Sequence, residues 1–232
     1  MTFKTISNAD ASRVGSLPVD YEWDTLIGNT FVAATEENNP RLAQALESLN
    51  IYGAADLYLG AAEWCLARVQ KNMPAEDGRL RLEAAWAATV DIRYCRVGEI
   101  APVEVGPDDI WNLPEWRLRR SLTGYIGYLA QGRTAKLRQV ALGMILMAEH
   151  ICGRDPAFGP WLADLLRKKM ASSARRADDV DHKSRDKSPP TAQELTEPSR
   201  DERLAGLAPA NNPYLRSAAD MAALGFAGDP YP

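Results

Sequence analysis

Two histidines and three cysteines are all that 232 residues contain of the side chains most used to bind transition metals. A carboxylate-bridged di-iron bundle needs two Glu-x-x-His sets on facing helices, and a structural zinc site needs about four clustered Cys or His ligands. His150 and His182, with Cys65, Cys95 and Cys152 scattered through apolar helical patterns, supply neither. No metal and no cofactor is expected. The odd, widely spaced thiols suit free buried cysteines in a reducing compartment better than a disulfide framework. Other chemistry is missing by motif: the chain has no GxxxxGK[ST] phosphate loop, no GxGxxG, no GxSxG elbow and no HExxH, each of which depends on fixed spacing.

Long apolar runs are missing as well. The longest is about nine residues, Val140 to Ala148 with Gly143 counted in, against the roughly 20 that span a bilayer. Residues 1–18 have neither an apolar segment nor a basic lead-in, so no secretory signal is expected and a cytoplasmic protein is. Positive charge is not in excess either. A net charge of −4 argues against a surface that as a whole attracts nucleic acid or acidic membrane.

What the chain does have is apolar periodicity at helical spacing. Leu137, Val140, Ala141, Met144, Ala148 and Ile151 recur at steps of three and four within Thr134–Cys152, one face of a helix. Leu142, Ile145 and Met147 add apolar surface beyond that face, so this helix is expected at the centre of the fold. Trp23, Leu26, Ile27, Phe31 and Val32 predict a short helix weakened at Gly28, and Asn39-Pro40 reads as the start of another. After a bend at residues 50–52, Ala54, Tyr58, Ala61, Cys65 and Val69 form an apolar row, with Asp56, Glu63 and Gln70 along another side. Further helices are read around Leu82–Cys95, from Leu113-Pro114-Glu115 to Leu129, and from Asp155-Pro156 onward.

The architecture expected is all-α. An N-terminal arm (1–20) precedes a helical domain (21–176) of about six antiparallel helices in a bundle or short helical array. Residues 177–203 have almost no large apolar side chains and are read as a disordered linker. Apolar residues return in 204–232, read as a short helix or docking tail, with Ser217 and Asp220 as a weak capping box. Such a tail is expected to dock on its own core or on a partner, and removal of 209–232 to leave the core folded.

The closest approach to a catalytic pair is His150 and Cys152, beside Glu149. On a helix a Cys two residues from a His points away from it, so the simpler reading is a histidine at the negative end of the helix next to a buried thiol. Glu63, Glu83 and Asp91 are acid/base candidates, weighed against salt bridges with Arg68 and Arg93. Six tryptophans, Trp23, Trp64, Trp86, Trp111, Trp116 and Trp161, read first as core and second as the walls of a groove. Two basic clusters stand out: Arg117, Arg119 and Arg120 around Trp116, and residues 167–187, with eight Lys/Arg against four Asp.

The favoured reading is a non-catalytic helical interaction module (adaptor, chaperone-like or inhibitor/immunity-like) that binds another protein. Its candidate contact residues are Trp111, Trp116, Arg119, Arg120, Tyr214, Leu215, Met221, Leu224 and Phe226; no catalytic residue is assigned. The alternative is a small-molecule or cofactor-binding enzyme with an aromatic pocket between helices and an acid/base from His150 or an Asp or Glu. Weak nucleic-acid binding through the basic clusters comes third, because acids are interleaved with them.

Overall fold

Side-chain caps mark several of the helix starts. In the computed structural model, which describes residues 3–33, 37–72, 76–103, 113–176 and 197–231, the Ser7 hydroxyl accepts from the Asp10 amide and opens α1 (Asn8–Ser16). Asp24 does the same for α2 (Thr25–Thr30), and proline at the first turn opens α3 (Pro40–Glu47). Asn50 accepts from the amides of Tyr52 and Gly53 to start α4 (Ile51–Val69). Then follow α5 (Asp77–Val90), α6 (Pro114–Ala130), α7 (Ala135–Cys152), α8 (Phe158–Ser172), α9 (Glu197–Leu204) and α10 (Ala218–Ala223). Ser217 and Asp220 form the capping box of α10, and Gly225, at φ 76°, follows it in the left-handed backbone that glycine favours. The fold is an all-α bundle. Among the described residues there is no β-strand, only the isolated bridges Leu49–Ala174 and Cys95–Leu215.

The centre of the bundle is α4, not the helix that periodicity singled out. Every residue from Tyr52 to Val69 is buried, and α1, α5, α6, α7 and α8 all pack on it. Its small residues make this possible. A Cβ on Gly60 would lie 2.7 Å from Thr5 Oγ1 and 2.9 Å from the Trp161 ring, and one on Gly53 would lie 2.9 Å from Ser173 Cβ. The expected bend at 50–52 is instead the Asn50 cap. Helix α7 is buried along its apolar face, mainly against α4 and α3.

Because α4 is covered all round, its charges are buried and must be paired. Glu63 accepts from the amides of Lys4 (2.8 Å), Thr5 (2.8 Å) and Ile6 (3.2 Å), the Thr5 hydroxyl (2.7 Å) and Trp86 Nε1 (3.2 Å). Burial pushes its carboxyl above the ordinary value, against the pull of those hydrogen bonds. Arg68 donates to the carbonyls of Ile151 and Leu17 and to Asp20. Asp56 pairs with Arg203 (2.5 Å) and Lys169 (2.6 Å). Residues 3–20, part of the stretch 1–20 read from sequence as an arm, thus carry α1 and are tied to α4.

The C-terminal segment packs against the chain itself. The expected linker lies outside the described residues as far as residue 196, but from Glu197 the chain is helical. Arg203 of α9 reaches Thr89 Oγ1 (2.8 Å) as well as Asp56, and Leu204 is buried. Farther on, Tyr214 donates to Asp77 (2.5 Å), Arg96 N to Tyr214 O (2.9 Å) and Arg216 N to Tyr94 O (2.8 Å). The Tyr94 hydroxyl donates to Pro230 O (2.6 Å), and its ring meets Phe226 and Tyr231 edge-on. Lys4 Nζ donates to the carbonyls of Glu202 and Ala205 at the end of α9, so the N-terminal segment is tied to α9.

Candidate partner-binding groove

Helix α6 has two faces. Leu118, Leu122, Tyr125 and Leu129 are buried, and Tyr125 stacks on Tyr58 of α4 with ring centroids 4.2 Å apart. The other face presents Arg117, Arg120, Gly124 and Tyr128, at steps of three, four and four. Trp116, only 3% exposed, forms a shelf for the two arginines, whose guanidinium carbons stand 5.6 and 5.1 Å from its ring centroid. At this distance each contact is a cation–π interaction. A short turn at Gly132, with φ 63°, reverses the chain into α7, so α6 and α7 run antiparallel.

Between their outer faces lies a groove of about 750 Å³. Val140, Gly143, Met144 and Met147 of α7 give it an apolar floor, and Arg117, Arg120, Gly124 and Tyr128 of α6 form the opposite wall. Phe31 and Val32, just after α2, and Pro102 with Val103 complete it; Lys136 and Gln139 lie toward the α6–α7 turn. Phe31 is held there by close packing, since a Cβ on Gly143 would overlap its carbonyl oxygen at 2.1 Å. Val32 is 60% exposed. The described lining carries three cations, Arg117, Arg120 and Lys136, and no Asp or Glu. Arg117 Nη2 donates to Asn29 (3.1 Å), while its Nε is buried without a hydrogen-bond partner. Burial and the charge of Arg120 lower the Arg117 pKa.

The residues singled out in the sequence fall into three groups. Arg120 lines the groove, and Trp116 lies buried beneath it and Arg117. Arg119 points elsewhere and pairs with Asp77 at 3.4 Å. Tyr214, Leu215 and Met221 are buried against the chain's own helices, whereas Leu224 is 47% exposed and Phe226 half-buried beneath Arg93 and Arg200. Trp111 lies outside the described residues. Sequence reasoning passed over Lys136, Gln139, Val140 and Met147 as groove residues, because Val140 and Met147 count equally well toward a core stripe. The spacing of Arg117, Arg120, Gly124 and Tyr128 was a usable signal.

The catalytic candidates have structural partners. His150 Nε2 lies 2.7 Å from the Glu22 carbonyl, with its ring among Tyr21, Trp23 and Phe31, and so pins residues 21–31 to α7. Cys152 Sγ is directed at Trp64 O (3.6 Å), and burial pushes the thiol well up. Asp91 pairs with Arg93 at 2.7 Å, and Glu83 with Arg79 and Asn212. Trp64, Trp86 and Trp116 are buried; Trp23 and Trp161 are half-buried. Among the described residues no group of three His, Cys, Asp or Glu is placed to hold a metal ion, and no helix is long and apolar enough to cross a membrane. Compared with protein-family models, with curated proteins and with solved structures, the chain matches none.

Proposed function

We propose that this chain is a non-catalytic helical module that binds another protein through the α6–α7 groove. The observation that carries this reading is the groove itself: an apolar floor between two rigid antiparallel helices, rimmed by cations with no acid among its described lining residues. Apolar grooves between helices receive amphipathic segments of partners, with charges at the rim setting orientation and specificity. The reading places the contact on α6 and α7, including Trp116 and Arg120, and leaves the C-terminal segment mostly a structural part of the module. Three free buried cysteines suit a reducing, cytoplasmic setting.

Filling the groove tests this. A Cβ at Gly124 meets nothing within 4 Å, so the side chain of Gly124→Trp starts from open space on the groove wall. The full chain and this variant are used as bait in extract of the source cells, with circular dichroism as a fold control. Partners held by the full chain are expected to be lost from the equally folded variant. Recovery of the same proteins by both would remove the groove from the model.

A further inference from the structure

The groove is nearly shut where it meets the segment around α2. Its floor follows one face of α7, Val140, Gly143, Met147 and His150, at steps of three, four and three. Val140, Gly143 and Met147 line the groove, yet Met147 is only 2% exposed. Residues 21–33 cover this face. The Phe31 carbonyl oxygen sits over Gly143, where a Cβ would lie 2.1 Å from it. Farther along, His150 donates from Nε2 to Glu22 O (2.7 Å), with the rings of Tyr21, Trp23 and Phe31 centred 6.3, 6.1 and 5.5 Å from its own. Met147 stands between these two contacts on the helix.

The cover is held lightly. From Leu17 to Ala33 the only buried residue is Gly28, whereas every residue of α4 from Tyr52 to Val69 is buried. Val19, Leu26 and Val32 turn outward, 68%, 74% and 60% exposed, and so contribute little apolar burial to hold the segment down. Trp23 Nε1 is buried with no hydrogen-bond partner among the described residues, a cost of closure that contact with water would relieve. The hydrogen bond between Asn29 and Arg117 is exposed and adds little. One end is firm by contrast: buried Arg68 of α4 donates to Leu17 O (2.8 Å), Pro18 O (2.5 Å) and Asp20 (2.7 Å). A lightly held segment beyond a fixed anchor opens locally, well below the free energy of global unfolding.

We propose that residues 21–33 form a strap that closes the α7 side of the groove in the free chain and lifts from the Arg68 anchor as a unit, uncovering Gly143, Met147 and His150 to complete the binding surface. The closed strap lies on the face a partner would use, so it acts as an internal competitor that lowers apparent affinity. As regulation of the groove this rests on the function proposed above. The opening itself is measured without a partner, so either reading can fail alone.

The test uses the full chain and His150→Ala, which removes a pin at an exposed position of α7. Amide exchange followed by NMR is expected to be about a hundredfold or more faster at Ile27, Gly28 and Val32, whose amides donate within the strap, than in α4. In His150→Ala it should quicken about tenfold again, with α4 unchanged. Fraying of α2 alone would also quicken exchange, so labelled methionine methyls give a second reading. The soluble paramagnet TEMPOL should broaden Met147 more strongly in His150→Ala than in the parent chain and leave Met221 untouched in both. Gly143→Ala, which pushes Phe31 off its seat, should do the same from the other contact. Anilinonaphthalene sulfonate should bind both loosened variants more tightly than the parent, and adding Gly124→Trp should abolish that gain. Strap amides as slow as those of α4, exchange that quickens equally in α4, or a Met147 methyl equally shielded in all three proteins would each overturn the strap. Dye binding indifferent to Gly124→Trp would overturn its link to the groove.

Discussion

Two sides of this molecule use similar side chains to opposite ends. Where α9 and the C-terminal segment lie against α4 and α5, cations meet acids of the same chain: Arg203 and Lys169 on Asp56, Arg81 on Asp77, Arg96 on Asp220. In the α6–α7 groove, Arg117 and Lys136 sit above apolar surface with no acid among the described lining residues. Buried charge is tolerated when it is paired. The paired side therefore behaves as core, whereas the groove cations have no carboxylate among the described lining residues. Changes to the first side should cost stability; changes to the second should cost binding.

The largest effect should come from removing the closed side. Deleting 209–232 strips Tyr214, Leu215 and Met221 from buried positions, together with the hydrogen bonds to Asp77 and Tyr94. At about 1.5–3 kcal/mol per fully buried large apolar side chain, the loss is on the order of 5 kcal/mol or more, comparable with the whole stability of many domains. Where the sequence suggested a dispensable tail, the burial predicts a chain that unfolds at much lower urea or does not fold, by far-UV circular dichroism. A cooperative transition at unchanged midpoint would show that the tail only rests on the surface.

Next in size is Asp56→Ala. It leaves Arg203 and Lys169 without their shared carboxylate in a buried setting, and breaking such a pair costs about 3–5 kcal/mol. Combining it with Arg203→Met should recover much of that loss, since an apolar replacement avoids the unpaired charge. Additive losses in the double variant would argue that Arg203 contributes mainly through Thr89 and the carbonyl of Tyr52.

These pairs explain what the sequence disclosed and what it did not. Helices α6, α7 and α8 were legible because their apolar residues recur on one face and prolines or glycines stand near their ends. The cap at Ser217 was legible for the same local reason. The central place of α4 was not: Asp56, Glu63 and Arg68 look like a solvated side until partners distant in sequence, such as Arg203, Lys4 and Asp20, are brought to them. Helix α9 was missed because Glu197–Leu204 is mostly polar and is fixed by partners distant in sequence, Asp56 and Thr89 for Arg203 and Lys4 for its last carbonyls. The groove was half visible. Its arginines and their tryptophan stood out, but the groove itself depends on α6, α7 and the residues after α2 converging.

A smaller effect on the closed side concerns acid. Burial pushes the Asp77 carboxyl up, but hydrogen bonds from Arg81 and Tyr214 more than offset it, so its folded pKa lies below the ordinary 3.8. A group depressed on folding contributes stability that is fully present above its unfolded pKa and lost as pH falls through the folded one. Tyr214, pushed up to about 12 by burial and by Asp77, remains a donor throughout that window. Asp77→Asn should therefore lower stability near neutral pH yet flatten its decline below about pH 4, read from urea midpoints across pH. Parallel curves for the two proteins would mean that Asp77 does not link the tail to proton binding.

The smallest effect is the most discriminating. Arg117 carries a buried Nε without a partner and donates to Asn29 at 3.1 Å. Arg117→Met keeps much of the stem's packing on Trp116 and removes the desolvated charge, so stability should change by no more than about 0.5 kcal/mol, or rise. The same variant should weaken capture of a groove-bound partner severalfold. Asp56→Ala, made marginally stable, should keep whatever affinity its folded fraction allows. If Arg117→Met instead destabilised the fold as Asp56→Ala does, the guanidinium would be a structural element like those on the closed side, and the contrast between the two surfaces would disappear.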